Sequence, residues 1–300
     1  MTNAKGFRWA TGSALVCVAL FVFSVRAEIK DVMKSADIDA VLAKSKQGEQ
    51  TLHGRPNFSI VAGVREGKAL PPETQKDTGT IIHLRKGSGR FTVATRAYDV
   101  AAGDVLHVPR NTPYQIDPAG GRIEYLAIRV KDLGATTPRG YGIGSPQPST
   151  TGAARGAGAV TAQGAAGAAP RRMMPDVIKK AEIDATYAKN TQNQPIGSTG
   201  TPAYSTNYVI YAGRQPPWEI HAGCVDIYVI KAGSGKTQVG GKISNGKEEP
   251  AGEIRGDGVT GARSTEIAVG DVVVIPRNEA HHQEPHMPIL GYMLVKVWSD

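Results

Sequence analysis

Short apolar runs with a two-residue period dominate the chain, and glycine punctuates them. IIHLRKGSGRFTV (81–93) and IYVIKAGSGKTQV (227–239) each read as a strand, a Gly-Ser-Gly turn and a second strand. GDVVVIP (270–276) and GYMLVKVW (291–298) are apolar on both faces. One face is then expected to line a barrel and the other to pack on a second barrel, within the chain or in a homodimer through barrel faces. Helical periodicity is confined to two short segments, with Ile38, Val41 and Leu42 on one face of the first and Ile183, Thr186 and Tyr187 on one face of the second. The pattern predicts an all-β chain of two jelly-roll β-barrels, each preceded by a short helix.

The two helical segments are copies of each other. DVMKSADIDAVLAKSKQ (31–47) matches DVIKKAEIDATYAKNTQ (176–192) at ten of seventeen positions, and the match continues in register. NFSIVAG (57–63) answers NYVIYAG (207–213), GDVLHVPRN (103–111) answers GDVVVIPRN (270–278), and IEYLAIRV (123–130) answers LGYMLVKV (290–297). The second copy carries 21 extra residues between its GSG and GDV elements, a polar, glycine-rich stretch. Two roles suit that stretch, a solvated hairpin extension or a lid over a pocket.

Between the copies, residues 132–174 are dominated by Gly, Ala, Ser, Thr and Pro. With almost no large apolar side chains, this segment is expected to be a flexible, disordered linker. Residues 1–27 read as an export signal: Lys5 and Arg8 precede an apolar run from Ala10 to Phe23, and Val25-Arg26-Ala27 suits cleavage before Glu28. The competing reading, a retained anchor, meets the difficulty that a bilayer span takes about 20 apolar residues. The expected parts are therefore a signal peptide (1–27), a first barrel (28–131), the linker (132–174) and a second barrel (175–300), in a periplasmic or secreted protein with no stable membrane anchor after cleavage.

Charge refines the picture by exclusion. The formal charge is +8, but Lys5, Arg8 and Arg26 leave with the signal, and Arg139, Arg155, Arg171 and Arg172 lie in the linker. The folded parts keep about +1 and no basic stripe, so nucleic acid is not an expected partner. After cleavage only Cys224 remains, so no disulfide forms within the chain. It reads as a small buried residue, with a soft metal ligand as the sharper alternative.

Candidate chemistry sits in two motifs of the second copy. The first is Gly213-x5-Glu219-x-His221-x4-Asp226-x6-Gly233, and the second is Gly270-x5-Pro276-x-Asn278-x2-His281. Strand periodicity puts Glu219 and His221 on one face, and Asp226 and Tyr228 on one face of the next strand. Imidazole and carboxylate together are the common ligand set for a first-row transition metal, so His221, Asp226, His281 and Glu219 are candidate ligands for Fe, Mn or Zn. Glu219 is also a candidate general base, and Tyr228 a candidate hydrogen-bond donor or acid. His282 is expected to face away, and Trp218 to wall a pocket.

These spacings resemble the two motifs of the cupin superfamily, G-x5-H-x-H-x(3 or 4)-E-x6-G and G-x5-P-x-G-x2-H-x3-N. The chain departs in having Glu219 for the first His, Asp226 for Glu, Asn278 for Gly and Pro285 for the final Asn. The resemblance implies a duplicated cupin with one metal site, because the first copy has Glu73, Gln75, Thr80 and Tyr114 at the four ligand positions. His83 and His107 of the first copy align with wall residues and are expected to be hydrogen-bonded structural histidines. Two functions fit: a metal-dependent enzyme, such as an oxygenase, isomerase or lyase acting on a small polar molecule, or a small-ligand-binding module without catalysis.

Overall fold

The computed structural model describes residues 32–132, 173–249 and 252–298. The expected signal peptide, and the expected linker apart from its two ends, lie outside the described residues. No helix among the described residues is long and apolar enough to cross a membrane.

Each copy of the repeat folds into antiparallel β-sheets. The first copy has a six-stranded sheet, with Phe58–Glu66, Thr78–Lys86 and Arg122–Lys131 in its middle, and a four-stranded sheet built on Ser88–Val93 and Pro113–Asp117. The second copy has the equivalent strands Tyr204–Ala212, Val225–Val239 and His281–Val297 in one ten-stranded sheet. The fold is therefore a pair of jelly-roll barrels.

The Gly-Ser-Gly element differs from expectation: in the first copy the strands on its two sides enter different sheets, and in the second they are one continuous strand. Val225–Val239 runs through it as one strand, paired with His281–Val297 on both sides of a register shift at Gly233/Ser234. Gly233 adopts φ +67, so the chain bends across the barrel corner instead of reversing.

Strand alternation divides the apolar residues into three groups. Val61, Ile82, Tyr125 and Ala127 belong to a core inside the first barrel, and Tyr211, Tyr228, Ile230 and Tyr292 to one inside the second. The opposite faces of the same strands meet in a third core, where Ile60, Ile81, Leu126 and Ile128 of the first copy join Ile210, Ile227, Met293 and Val295 of the second. The two-sided apolar strands thus find their second partner within the chain.

The helices belong to this shared core; each lies on a strand of its own copy, the first on Phe58–Glu66 and the second on Val225–Val239, while the short strand before it crosses to the other copy. α1 (Ser35–Lys44) buries Ile38 and Leu42, and α2 (Lys180–Lys189) buries Ile183 and Tyr187. Before α1, Val32–Met33 pairs with Val272–Val273 of the second barrel; before α2, Val177–Ile178 pairs with Val105–Leu106 of the first. Neither helix has a side-chain cap of its own. Instead the Asp of each Gly-Asp element accepts a backbone N–H from the other copy's helix: Ser35 N–H donates to Asp271 (2.7 Å) and Lys180 N–H to Asp104 (2.8 Å). Lys34 and Lys179 add ion pairs to the same two carboxylates.

Candidate metal centre

The strand Trp218–His221 carries the first two candidate ligands and is held from three sides. It pairs with the start of His281–Val297, where Glu219 opposes His281. It pairs with Glu253–Gly256, where His221 opposes Glu253 and Glu219 opposes Arg255. The third hold comes from the second motif: Asn278 N–H donates to the His221 carbonyl (3.0 Å) and Arg277 Nε to the Ala222 carbonyl (2.9 Å). Asn278 adopts φ 63 and its counterpart Asn111 φ 57, a left-handed conformation that Asn tolerates. Asn can therefore stand where Gly is usual.

Glu219, His221 and His281 bring one ligand atom each to within 4.8 Å of one another. Glu219 Oε2 is 3.4 Å from His221 Nε2, and the two imidazole centroids are 5.0 Å apart. Two ligands about 2.1 Å from a tetrahedral ion lie roughly 3.4 Å apart, so this pair is spaced for a metal. His281 Nδ1–H donates to the Glu279 carbonyl (3.1 Å), which leaves Nε2 as the nitrogen with a lone pair. The donor set fits a divalent transition metal.

Asp226 lies beside this trio, between His221 and Lys296. Its Oδ2 is 3.5 Å from His221 Nε2, its Oδ1 is 3.9 Å from Lys296 Nζ, and Tyr228 OH donates to Oδ2 at 3.2 Å. Cys224 Sγ donates to Oδ1 at 3.4 Å. The thiol is buried, as expected of a small interior residue, but it points into the cluster because the bend at residues 222–223 interrupts strand alternation.

Lys296 and Glu253 are the site residues that sequence reasoning missed. Lys296 Nζ approaches His221 Nε2 at 3.2 Å and Glu253 Oε1 at 3.9 Å. Glu253 Oε1 is also 3.3 Å from His221 Nδ1, without hydrogen-bond alignment. Lys296 had a signal in the repeat, since it answers Arg129, a second cation at the same place in the first copy. Glu253 sits in the 21-residue insertion, where nothing in the sequence distinguishes it. The insertion is a wall of the site: it adds Glu253–Gly256 to the sheet alongside the ligand strand.

Electrostatics separate the two imidazoles. Burial, then the charge of His221, push His281 down to about 4 against the pull of Asp226 and Glu219, so it is neutral at pH 7. Burial and Lys296 also press on His221, but Asp226, Glu219 and Glu253 outweigh them and raise it to about 9. Burial works to raise Glu219, yet its hydrogen bond and charge interaction with His221 hold it down at about 2. Lys296 is held above its ordinary value: the surrounding acids, led by Asp226, overcome its burial.

Residues 65–132 match the family described as AraC-like ligand binding domain. Among solved structures the chain is similar to a Cupin 2 conserved barrel domain protein from Leptotrichia buccalis, at 12% identity over 91% of this chain and 99% of that one, with a TM-score of 0.57. It is also similar to a salicylate 1,2-dioxygenase from Pseudaminobacter salicylatoxidans, at 10% identity over 89% of this chain and 83% of that one, with a TM-score of 0.60. By fold the chain is a duplicated cupin. No curated protein sequence matches it.

Within this duplicated cupin the first barrel is an internal control. Arg65 and Arg129 occupy its interior, paired with Glu73 (2.7 Å) and Glu49 (2.8 Å) respectively, and Tyr125 OH donates to Glu49 (2.7 Å). Guanidinium groups therefore neutralise the acids there. Tyr114 OH, at the position of His281, donates to Glu73 at 3.2 Å. His107 Nε2 lies 3.1 Å from Tyr204 OH across the shared core, as a structural histidine should. His83 differs from expectation: it is buried, and neither ring nitrogen has a hydrogen-bond partner among the described residues. Burial holds its pKa far down, so it sits in the wall as a neutral ring. His282 stacks on Trp218 with centroids 5.1 Å apart, which ties up the tryptophan face proposed to wall a pocket.

Proposed function

We propose that the second barrel holds one divalent transition metal, Fe, Mn or Zn, on Glu219, His221 and His281, and acts with it on a small polar molecule. The observation that carries this reading is the convergence of those three side chains from two separate motifs. When bound, the metal supplies an open coordination position that polarises a substrate oxygen or activates a water. The chain's own residues do the rest. His281 presents Nε2 because Glu279 fixes its other nitrogen. As a ligand His221 would give up a proton, and Glu219, released from its hydrogen bond to that proton, would serve as third ligand or as general base. Lys296 then keeps Asp226 and Glu253 as partners, and Tyr228 steadies Asp226. This ligand set serves oxygenase, isomerase and lyase chemistry alike.

One observation favours a second reading, a binding module without catalysis. Lys296 Nζ already lies on the nitrogen that a metal would take, as a resident cation. Loading the full chain with Mn(II) and measuring water-proton relaxation separates the two. The enzyme reading expects about one bound ion per chain with an exchangeable water, lost in His281→Ala. Absence of a stoichiometric ion would favour the module.

We further propose that the protein works in the periplasm or outside the cell, on the support of the charged, apolar and small-residue succession in residues 1–27. Mass spectrometry of the exported protein should find Glu28 at its N-terminus. An intact Met1 would contradict this.

A further inference from the structure

The insertion that the second barrel has and the first lacks stands next to the ligand strand. In the first barrel the equivalent strand, Glu73–Thr74, is the edge of its sheet among the described residues, paired with Pro113–Asp117 alone. In the second barrel the insertion covers that edge. Glu253–Gly256 pairs antiparallel with the whole of Trp218–His221, with His221 opposite Glu253 and Glu219 opposite Arg255. Residues directly opposite in an antiparallel pair share a face, as do residues two apart on one strand. The insertion therefore brings Glu253 and Arg255 to the face that carries Glu219 and His221. The barrel with Gln75 at the position of His221 has no such strand among the described residues.

The two ring nitrogens of His221 meet different groups. Nε2 is turned to the metal cluster, 3.4 Å from Glu219 Oε2 and 3.5 Å from Asp226 Oδ2. Nδ1 is turned to the insertion, 3.3 Å from Glu253 Oε1. It is buried, and no hydrogen-bond partner is aligned with it among the described residues. His281 has no such need, because its Nδ1–H donates to the Glu279 carbonyl. Glu253 is itself aimed: Arg255 Nη2 donates to Oε2 (3.1 Å), which leaves Oε1 to face the imidazole. Arg255 is anchored in turn by Glu249 of the same insertion, with Nε 3.4 Å from Oε2.

We propose that the insertion is an orienting arm for the metal centre, in which Glu253 accepts the Nδ1–H of His221 and so holds Nε2 toward the metal position. A carboxylate on the outer nitrogen of a ligating imidazole fixes its tautomer and ring orientation and makes it a better donor to the metal. Glu253 is thus a positioning residue acting through His221, and Arg255 steers it. Its place on the outer nitrogen also separates it from the three ligand atoms that converge on the other side of the ring. The inference rests on the metal reading of the second barrel.

The test is titration of the full chain with Co(II), followed by visible absorption. Wild type should bind about one ion per chain. Glu253→Ala should weaken binding roughly tenfold to a hundredfold and alter the shape of the absorption band. Glu253→Gln keeps an oxygen that accepts the Nδ1–H but carries no charge, and it should recover most of the lost affinity. If Glu253 acted only as a negative charge, the Gln variant would bind as weakly as the Ala variant. Melting curves in EDTA show whether both variants are folded, so that a lost fold is not read as a lost contact. Binding by folded Glu253→Ala as tight as wild type, or by Glu253→Gln as weak as Glu253→Ala, would overturn the inference and leave the metal site standing. No binding of Co(II) by wild type would instead overturn the metal reading, and the inference with it.

Discussion

At the scale of single residues, the site is a contest among cations for a fixed set of acids. Glu219, Asp226 and Glu253 surround His221, and in the metal-free protein a protonated His221 and Lys296 answer them. The folded pKa of His221, about 9, lies above its ordinary 6.5. Its contribution to stability is therefore fully present below pH 6.5 and lost as pH rises through 9. Over that window the metal-free protein should lose up to about 3 kcal/mol, read as a falling melting temperature in EDTA. The same proton competes with the metal, so metal affinity should rise from pH 6 to pH 9, with proton release visible by calorimetry in buffers of different ionisation enthalpy. Lys296→Met leaves Asp226 and Glu253 without that cation; it should destabilise the metal-free protein by about 3 kcal/mol and enlarge the stabilisation gained on adding metal. An unchanged melting temperature in this variant would show that Lys296 is not the resident counter-charge. The trio Glu219, His221 and His281 was legible because strand period and motif spacing fix which side chains converge. Lys296 was not, because one lysine in GYMLVKVW reads as an interruption of an apolar strand until its partners are known.

At the scale of elements, the repeat made the strands, the helices and the Gly-Asp turns visible in the sequence, but not which copy the short strand before each helix joins. Both copies carry the same short strand before the helix and the same turn, so local pattern is satisfied equally by pairing that strand within a copy or across to the other. The structure takes the crossed arrangement, and Asp104 and Asp271 each tie a turn of their own barrel, through Ala101 N–H and Ala268 N–H, to the first turn of the opposite helix. Replacing either Asp by Ala removes a helix cap, a turn hydrogen bond and an ion pair from a buried position. Each substitution should cost about 2 kcal/mol, measured by denaturant unfolding, and the two should behave alike. The polar insertion shows the complementary failure of sequence reasoning. Its glycines announce turns, yet its function follows from pairing with Trp218–His221, a long-range contact that no local pattern encodes.

At the scale of the whole molecule, exchange of the short strands Val32–Met33 and Val177–Ile178 makes the two barrels one folding unit with a shared core. Tyr204 of the second copy lies directly on Gly79 of the first, where an added Cβ would come within 2.3 Å of its hydroxyl, so Gly79→Ala should loosen this contact and lower stability. Proteolysis between Asp132 and Met173 should yield two fragments that still elute together in size-exclusion chromatography, because each supplies a strand to the other's sheet and an Asp to the other's helix start. Separate elution of folded fragments would contradict the shared core. The two sites, in contrast, have diverged: one barrel fills its interior with paired guanidinium groups, the other with imidazole and carboxylate. The central claim is that only the second barrel is a metal site. A crystal of the full chain soaked in Mn(II) tests it most directly by anomalous scattering. The account predicts a single strong peak in the chain, within about 2.3 Å of Glu219, His221 and His281. A peak inside the first barrel, or none beside those three residues, would contradict it.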